Sequence, residues 1–401
     1  MPFMQSGTHE ARVSEIQQAL REHNVDGWLF YDFRGSDPLG YRVLLLDPQM
    51  HVTRRWYYWI PAQGASHKLL HRIEPHVLDV LPGVCDTYVS WDQQRQLVGR
   101  LLKGSRRIAM QYSPMNAVPY VSRVDAGTLD LVRSFGIEVV SSGDLIQRFE
   151  ARWTDRQLES HQYAAAALRR IVDDAFDHVR RSVDTGGLTE YGLQQFILGR
   201  IGDAGMVTSS APIAAVNEHS ADPHYGPAPA GSSPITRDSL VLIDLWGKQA
   251  AAGSVYADIT WTAYAGATVP EKHRMVFGIV RQGRDAALEF VRAQMQAGQR
   301  PFGYEVDAAC RRVIESAGYG AHFVHRTGHS IGEDVHGNGA NMDGLETQDT
   351  RRLMPRTCFS IEPGIYLTGE FGIRSELDVF LTERDALVFG LPLQRDLCPL
   401  L

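Results

Sequence analysis

Cysteine is scarce in this chain of 401 residues: Cys85, Cys310, Cys358 and Cys398 are the whole complement. No two lie within three positions of each other, which excludes a paired-cysteine zinc site and argues against a disulfide framework. Four reduced thiols fit a cytoplasmic protein. Long hydrophobic runs are also missing. The longest apolar pieces, such as Leu240–Leu245, are broken by Asp or Gly, well short of the ~18 apolar residues of a membrane span. Positive charge is not in excess. The net charge is −7, which gives no electrostatic footprint for nucleic acid or an anionic membrane. The N-terminal residues MPFMQSGTHEARVSE lack a basic stretch followed by an apolar one, so no secretory leader is expected. What is present, 44% hydrophobic and 22% charged residues, is ordinary globular composition, and disorder and fibrous repeats are excluded. The length suggests two domains at roughly 100–200 residues each.

The first 150 residues read as alternating helix and strand. Val13, Ile16, Ala19 and Leu20 recur at helical spacing over Val13–His23, followed by a short buried strand at Gly27–Tyr31. Arg107–Gln111 and Ile137–Val140 are strand-like around a helical Gly127–Ser134, with no glycine-rich phosphate loop. Near 150 the pattern changes. Thr154 or Asp155 caps a long helix that runs towards Val183 and stops at the glycines of DTGG. Thr189 opens another helix, to about Gly202. Glu271–Met295 and Tyr304–Ser316 are helical, and Leu240–Trp246, Val255–Thr262, Thr357–Glu362 and Val379–Thr382 are strand-like. The expected domains are 1–153 and 154–401.

Five residues of the second domain carry the chemistry. Asp244, in LVLIDLWG, sits in a run that is apolar on both faces, where an unpaired carboxylate is costly. Asp258, in VYADITW, occupies the next strand. GKQAAAGS between them reads as a hairpin loop, which brings two aspartates that are otherwise ordinary hydrogen-bond acceptors within reach of one ion. His329 lies in HRTGHSIGEDVH with His325 and His336. Arg326 stands where a zinc-protease helix would need Glu, and Phe323, Val324, Ile331 and Val335 argue against a plain surface loop. Glu362 ends the apolar strand of CFSIEPGIY. Glu376 lies in GIRSELDVF, where a salt bridge to Arg374, two residues away on the same strand face, is the simpler expectation. Four carboxylates and an imidazole carry formal charge −4, more than one divalent ion neutralises, so two ions roughly 3.5–4 Å apart are implied. The oxygen-rich set suits Mn²⁺, and Co²⁺ or Zn²⁺ would also bind.

At these residues the sequence resembles the pita-bread metallopeptidases, most closely their proline-specific branch of Xaa-Pro dipeptidases (prolidases) and aminopeptidase P. The resemblance rests on five ordered motifs between about 155 and 390: LVLIDLW, YADIT, HRTGHSIGEDVH, IEPGIY and GIRSELDV. It implies an α+β fold, with a C-terminal pita-bread catalytic domain and a smaller α/β creatinase/prolidase-like N-terminal domain. It further implies Asp244, Asp258, His329, Glu362 and Glu376 as ligands of two metal ions, with Asp258 and Glu376 bridging. His224, in ADPHYGP, and His336 match substrate-contacting and proton-relay histidines, His325 matches a third substrate histidine, and Arg374 matches an arginine beside the metal acids. Glu362 is the expected proton acceptor for a metal-bridging hydroxide.

The pattern departs from the family in three places. The two aspartates are 14 residues apart where eleven is usual, which fits a longer hairpin tip. Arg356 stands where a glycine is common. Arg351 and Arg352 lie near the place where prolidases hold a dipeptide's carboxylate and favour a dipeptidase over aminopeptidase P, though neither is a clean match. The expected substrates are small peptides with proline second, whose tertiary nitrogen offers no N–H to grip. A cytoplasmic homodimer is expected. Asp37, in FRGSDPLGY, reads as an Asp-Pro turn residue or as an anchor for a peptide's amino group, and Trp56–Trp59 as core or entrance lining. A metal-free pita-bread binding module is the alternative of another class, and such modules lose the ligands that all stand here.

Overall fold

The computed structural model describes residues 6–401 and divides into two compact units, Met1–Glu150 and Ala151–Leu401. Residues 1–5, part of the stretch read for a leader, lie outside the described residues.

The first unit contains α1 (Ser6–Glu22), β1 (Gly27–Asp32), α2 (Pro38–Val43), β2 (Trp56–Pro61), β3 (His67–His71), β4 (Val84–Tyr88), α3 (Trp91–Leu101), β5 (Arg107–Met110), α4 (Ala126–Arg133), β6 (Glu138–Ser141) and α5 (Gly143–Glu150). Its six strands form one sheet in the order β4-β3-β2-β1-β5-β6. β2 runs antiparallel to β1 and β3, and every other neighbouring pair is parallel. Alternate side chains of a strand face opposite ways. Trp28, Phe30, Trp56 and Tyr58 therefore fill a core on one side, and Leu29, Tyr31, Tyr57 and Trp59 fill a core on the other. All of Trp56–Trp59 are buried. Asp37 caps α2, accepting from Gly40 N at 2.9 Å, and has no exposed surface. This is the turn role rather than the anchor role.

The second unit contains α6 (Asp155–Ser182), α7 (Glu190–Asp203), β7 (Met206–Val207), β8 (Ile213–Val216), β9 (Leu240–Gln249), β10 (Ala257–Tyr264), α8 (Glu271–Gln296), α9 (Gly303–Ser316), β11 (Ser330–Ile331), β12 (Cys358–Ile361), β13 (Gly364–Leu367), β14 (Phe371–Arg374), β15 (Leu377–Leu381), β16 (Ala386–Val388) and β17 (Cys398–Pro399). Thr154 caps α6 in a capping box with Gln157, and Gly186 and Gly187, both at positive φ, follow its end. One sheet runs β17-β10-β9-β7 with β8 also on β9, and another runs β11-β12-β15-β16. α6 and α7 pack against β9 and β10 in one core, and α8 and α9 pack against β12–β15 in a second. Each half thus lays a helix pair on antiparallel strands, although no repeat is visible in the letters.

Three local expectations meet particular outcomes. The hairpin with the long aspartate spacing stays paired from Gly247↔Ala257 onward, and the extra residues sit in the tip. Arg356, at the glycine-like position, has φ +70°, a conformation that costs an L-residue roughly 1–2 kcal/mol. Its guanidinium donates to Trp153 O at 2.6 Å and Asp155 Oδ1 at 2.7 Å, which holds it there. Glu376 falls between β14 and β15 rather than within a strand, so the same-face rule does not couple it to Arg374. The Arg374 guanidinium instead meets Asp244.

Candidate metal centre

Asp244 and Asp258 come from the β9–β10 hairpin. Asp244 lies opposite Thr260, and Asp258 lies opposite Trp246. Two-residue steps keep a strand's side chains on one face, so both carboxylates point to the same side. His329 is delivered by the short β11. Gly328 before it touches β12 so closely that a Cβ there would lie 1.9 Å from Ser360 O. Ser360 Oγ accepts the His329 N–H at 3.0 Å and donates to Glu362 Oε1 at 3.0 Å. Glu362 leaves the end of β12 and is half-buried. Glu376 reaches back to β10, accepting from Thr260 Oγ1 at 2.7 Å.

The five groups converge. Asp258, His329 and Glu376 each offer a ligand atom within 4.8 Å of the others. His329 Nε2 lies 3.3 Å from Glu362 Oε1 and 3.7 Å from Asp258 Oδ2. Its Nδ1 donates to Ser330 O at 3.1 Å, which fixes the tautomer and leaves the Nε2 lone pair aimed at the acids. Burial, with Arg326 nearby, lowers the His329 pKa to about 3, so the ring is neutral and able to ligate. Burial raises Asp244, and it raises Asp258 and Glu376 well above the usual carboxylate range, with repulsion from the neighbouring acids adding to the shift. Asp244 Oδ1, Asp258 Oδ1 and Glu376 Oε1 are buried without a hydrogen-bond partner. Buried polar atoms are nearly always satisfied, so three orphaned carboxylate oxygens beside a free imidazole nitrogen fit hard divalent cations as the missing partners.

The other sequence candidates sit differently. His336 is exposed, its ring 4.2 Å from that of His329, and His224 is exposed on the segment after β8, close enough for its charge to be felt at His336. His325 is engaged at both nitrogens: Nδ1 donates to Arg326 O at 2.7 Å, and Nε2 accepts from Tyr366 OH at 2.8 Å. Arg374 is buried and fully engaged. It donates to Thr260 Oγ1 at 3.1 Å, Tyr366 OH at 3.2 Å, Pro223 O at 3.3 Å and Asp244. Arg351 is committed to Asp349, and Arg352 donates to Arg300 O and covers the Phe302 ring. Neither arginine is therefore held ready for a peptide carboxylate.

Sequence reasoning missed Asp378. It is buried on β15, and its Oδ2 accepts the Asp258 backbone N–H at 2.8 Å, which ties the two sheets together under the site. A lone acid in the otherwise apolar strand LDVFL was the available signal. It missed Glu190 as well. This fully buried carboxylate accepts from Val216 N, Ser233 N and Tyr225 OH and contacts His219, pinning the segment that carries His224.

Comparison with known proteins gives the family and the fold. The chain is similar to the probable dipeptidase PepE of Mycobacterium tuberculosis, 28% identical over 335 residues that cover 82% of this chain and 81% of that protein. It is similar to an Xaa-Pro dipeptidase of Lactobacillus helveticus, 30% identical over 58% of this chain and 57% of that one. The fold matches the crystal structure of dipeptidase PepE from Mycobacterium ulcerans, with a TM-score of 0.71 and 23% identity over 99% of both chains. Residues 159–383 match metallopeptidase family M24. That stretch holds every one of the converging acids and the imidazole between them, and the chain belongs to this family of metal-dependent hydrolases.

Proposed function

We propose that the protein is a dinuclear-metal exopeptidase that hydrolyses Xaa-Pro bonds, and an Xaa-Pro dipeptidase in particular. The carrying observation is the set of orphaned oxygens on Asp244, Asp258 and Glu376 around the His329 lone pair. With Glu362 these residues hold two divalent ions, Mn²⁺ by preference and Co²⁺ or Zn²⁺ as substitutes. When bound, such ions lower the pKa of water from 15.7 to about 7 and polarise a carbonyl.

The chain's own residues do the rest. Glu362, half-buried and oriented by Ser360 Oγ, takes the proton of the attacking water and carries it to the tertiary nitrogen of the leaving proline. Exposed His336 and His224 stand at the rim, where an N–H from either stabilises the tetrahedral oxyanion. Arg374 holds Asp244 in place, and His325 with Tyr366 holds Arg374. With Arg351 and Arg352 committed elsewhere, the choice of dipeptidase rests on the named relatives. A cytoplasmic homodimer belongs to the same reading, and light scattering checks its size.

The test is turnover of Ala-Pro and Ala-Pro-Ala after chelation and after Mn²⁺ is restored. The expected result is loss, recovery and preference for Ala-Pro. Preference for the tripeptide makes the protein an aminopeptidase P. No turnover of either peptide, with no metal bound after Mn²⁺ is supplied, returns the chain to the metal-free binding class.

A further inference from the structure

The first unit has a cleft of its own. It measures about 720 Å³, within the ~300–1,000 Å³ of small-molecule sites. Its walls are the segment after β1, the start of β2, the ends of β3 and β4, and the loop after β5. β1, β3, β4 and β5 run the same way, so the cleft lies outside the carboxyl ends of the parallel strands. It spans the sheet from β4 to β1 and is closed on the far side by Arg123 and Asp125.

The lining is strongly cationic in a chain of net charge −7. Arg34, Arg54, Arg55 and Arg123 converge on the cleft. None of the four forms an ion pair with a carboxylate among the described residues. Asp125 is the acid in the lining, and it is occupied as the cap of α4, accepting from Thr128 N at 2.9 Å and Thr128 Oγ1 at 2.7 Å. Glu74, close by, is turned to the backbone N–H groups of Thr53 and Arg54. Four guanidinium groups outnumber the acids around them, those of Arg54 and Arg123 act on Glu74 and Asp37 only through space, and a planar fork of donors matches the oxygens of phosphate or carboxylate. The same cleft is rimmed by Phe33, Val89 and Trp91, which are 43%, 50% and 62% exposed. Arg34 lies over one face of Phe33 and Arg95 over one face of Trp91, 5.7 and 4.8 Å from the ring centroids, and the opposite faces present a stacking surface next to an oxyanion site.

We propose that this cleft is a binding site for a small organic anion with a flat ring, of the nucleoside-phosphate class, its oxyanion held by Arg54, Arg55 and Arg123 and its ring stacked on Trp91 or Phe33. Every residue of the cleft belongs to the first unit, and the inference does not rest on the peptidase reading. The experiment titrates the full-length protein with adenosine 5′-monophosphate, followed by tryptophan fluorescence and calorimetry, with adenosine and inorganic phosphate as partial probes. Saturable binding of the monophosphate is expected, weakened at least about tenfold for each partial probe, by Arg54→Glu/Arg123→Glu and by raising the salt. The milder pair Arg54→Gln/Arg123→Gln weakens it in the same direction, and unchanged thermal melts show that these exposed positions leave the fold intact. Trp91→Ala weakens the monophosphate and leaves inorganic phosphate unaffected. The proposal is overturned if the wild-type protein shows no saturable binding, if the charge-reversed protein binds equally well, or if phosphate alone binds as tightly as the nucleotide.

Discussion

Gly328 carries no chemistry, yet the position of His329 depends on it. A methyl group at this site would overlap Ser360 O, and backbone cannot yield as a flexible side chain can. Gly328→Ala therefore separates β11 from β12 and moves the imidazole off the acids. The expected result is Mn²⁺ affinity lowered by roughly tenfold to a hundredfold, the scale of losses seen when the support of a ligand is disturbed, measured by calorimetric titration. Asp37 makes a different prediction. Burial raises its pKa to about 7, so it stays neutral in the folded first unit where the unfolded chain would ionise near the ordinary aspartate value. The stability tied to the neutral form is complete below about pH 4 and is lost as pH rises through 7. Asp37→Asn keeps an acceptor for the cap and removes this dependence. Urea melts at pH 5 and pH 8 should show the wild type losing up to about 2.7 kcal/mol more than the variant between them, from the roughly two pH units between 5 and the folded pKa. Equal losses would refute the buried ionisation.

At the scale of elements, the helices were legible because an apolar stripe with a capping residue is a local signal. Thr154 and Thr189 mark the starts of α6 and α7 as the sequence predicts. The β9–β10 hairpin was legible for the same reason, since two apolar runs joined by a short polar tip can hardly do otherwise. The break between β14 and β15 was not. GIRSELDVF reads as one strand, and only the packing of Glu376 against Thr260 of β10 shows why the chain bends there. The segment that carries His224 was equally hidden, because its order depends on Glu190, a residue more than thirty positions away. Glu190→Ala removes hydrogen bonds to a charged acceptor, each contributing about 1.5–3 kcal/mol, and leaves the N–H groups of Val216 and Ser233 without it. The second unit should lose at least roughly 3 kcal/mol by the same reasoning. Glu190→Gln, which keeps part of the network, should retain the fold while raising KM for Ala-Pro more than it lowers kcat. An unchanged KM would show that the His224 segment does not meet the substrate.

Across the whole molecule, the four carboxylates at the centre repel one another, and divalent cations relieve that repulsion in the folded state alone. Ligands that bind only the native form stabilise it by about 2.7 kcal/mol at a hundredfold excess over Kd. Scanning calorimetry should therefore show Mn²⁺ raising the transition of the Ala151–Leu401 unit and chelator lowering it, while Asp258→Asn abolishes the response. A transition indifferent to Mn²⁺ would remove the metal from the account. What the sequence determined alone was whatever is encoded within one element or one motif: the helix periods, the buried hairpin aspartates, the ordered motifs of the family and the acids and imidazole they contain. The tertiary structure decided what depends on residues far apart in the chain. Asp378 supports Asp258 across 120 positions, Arg374 pairs with Asp244 rather than Glu376, and Glu190 takes up the N–H groups of Val216 and Ser233. A buried charge takes the partner that packing brings to it, and that partner need not be a neighbour in the chain.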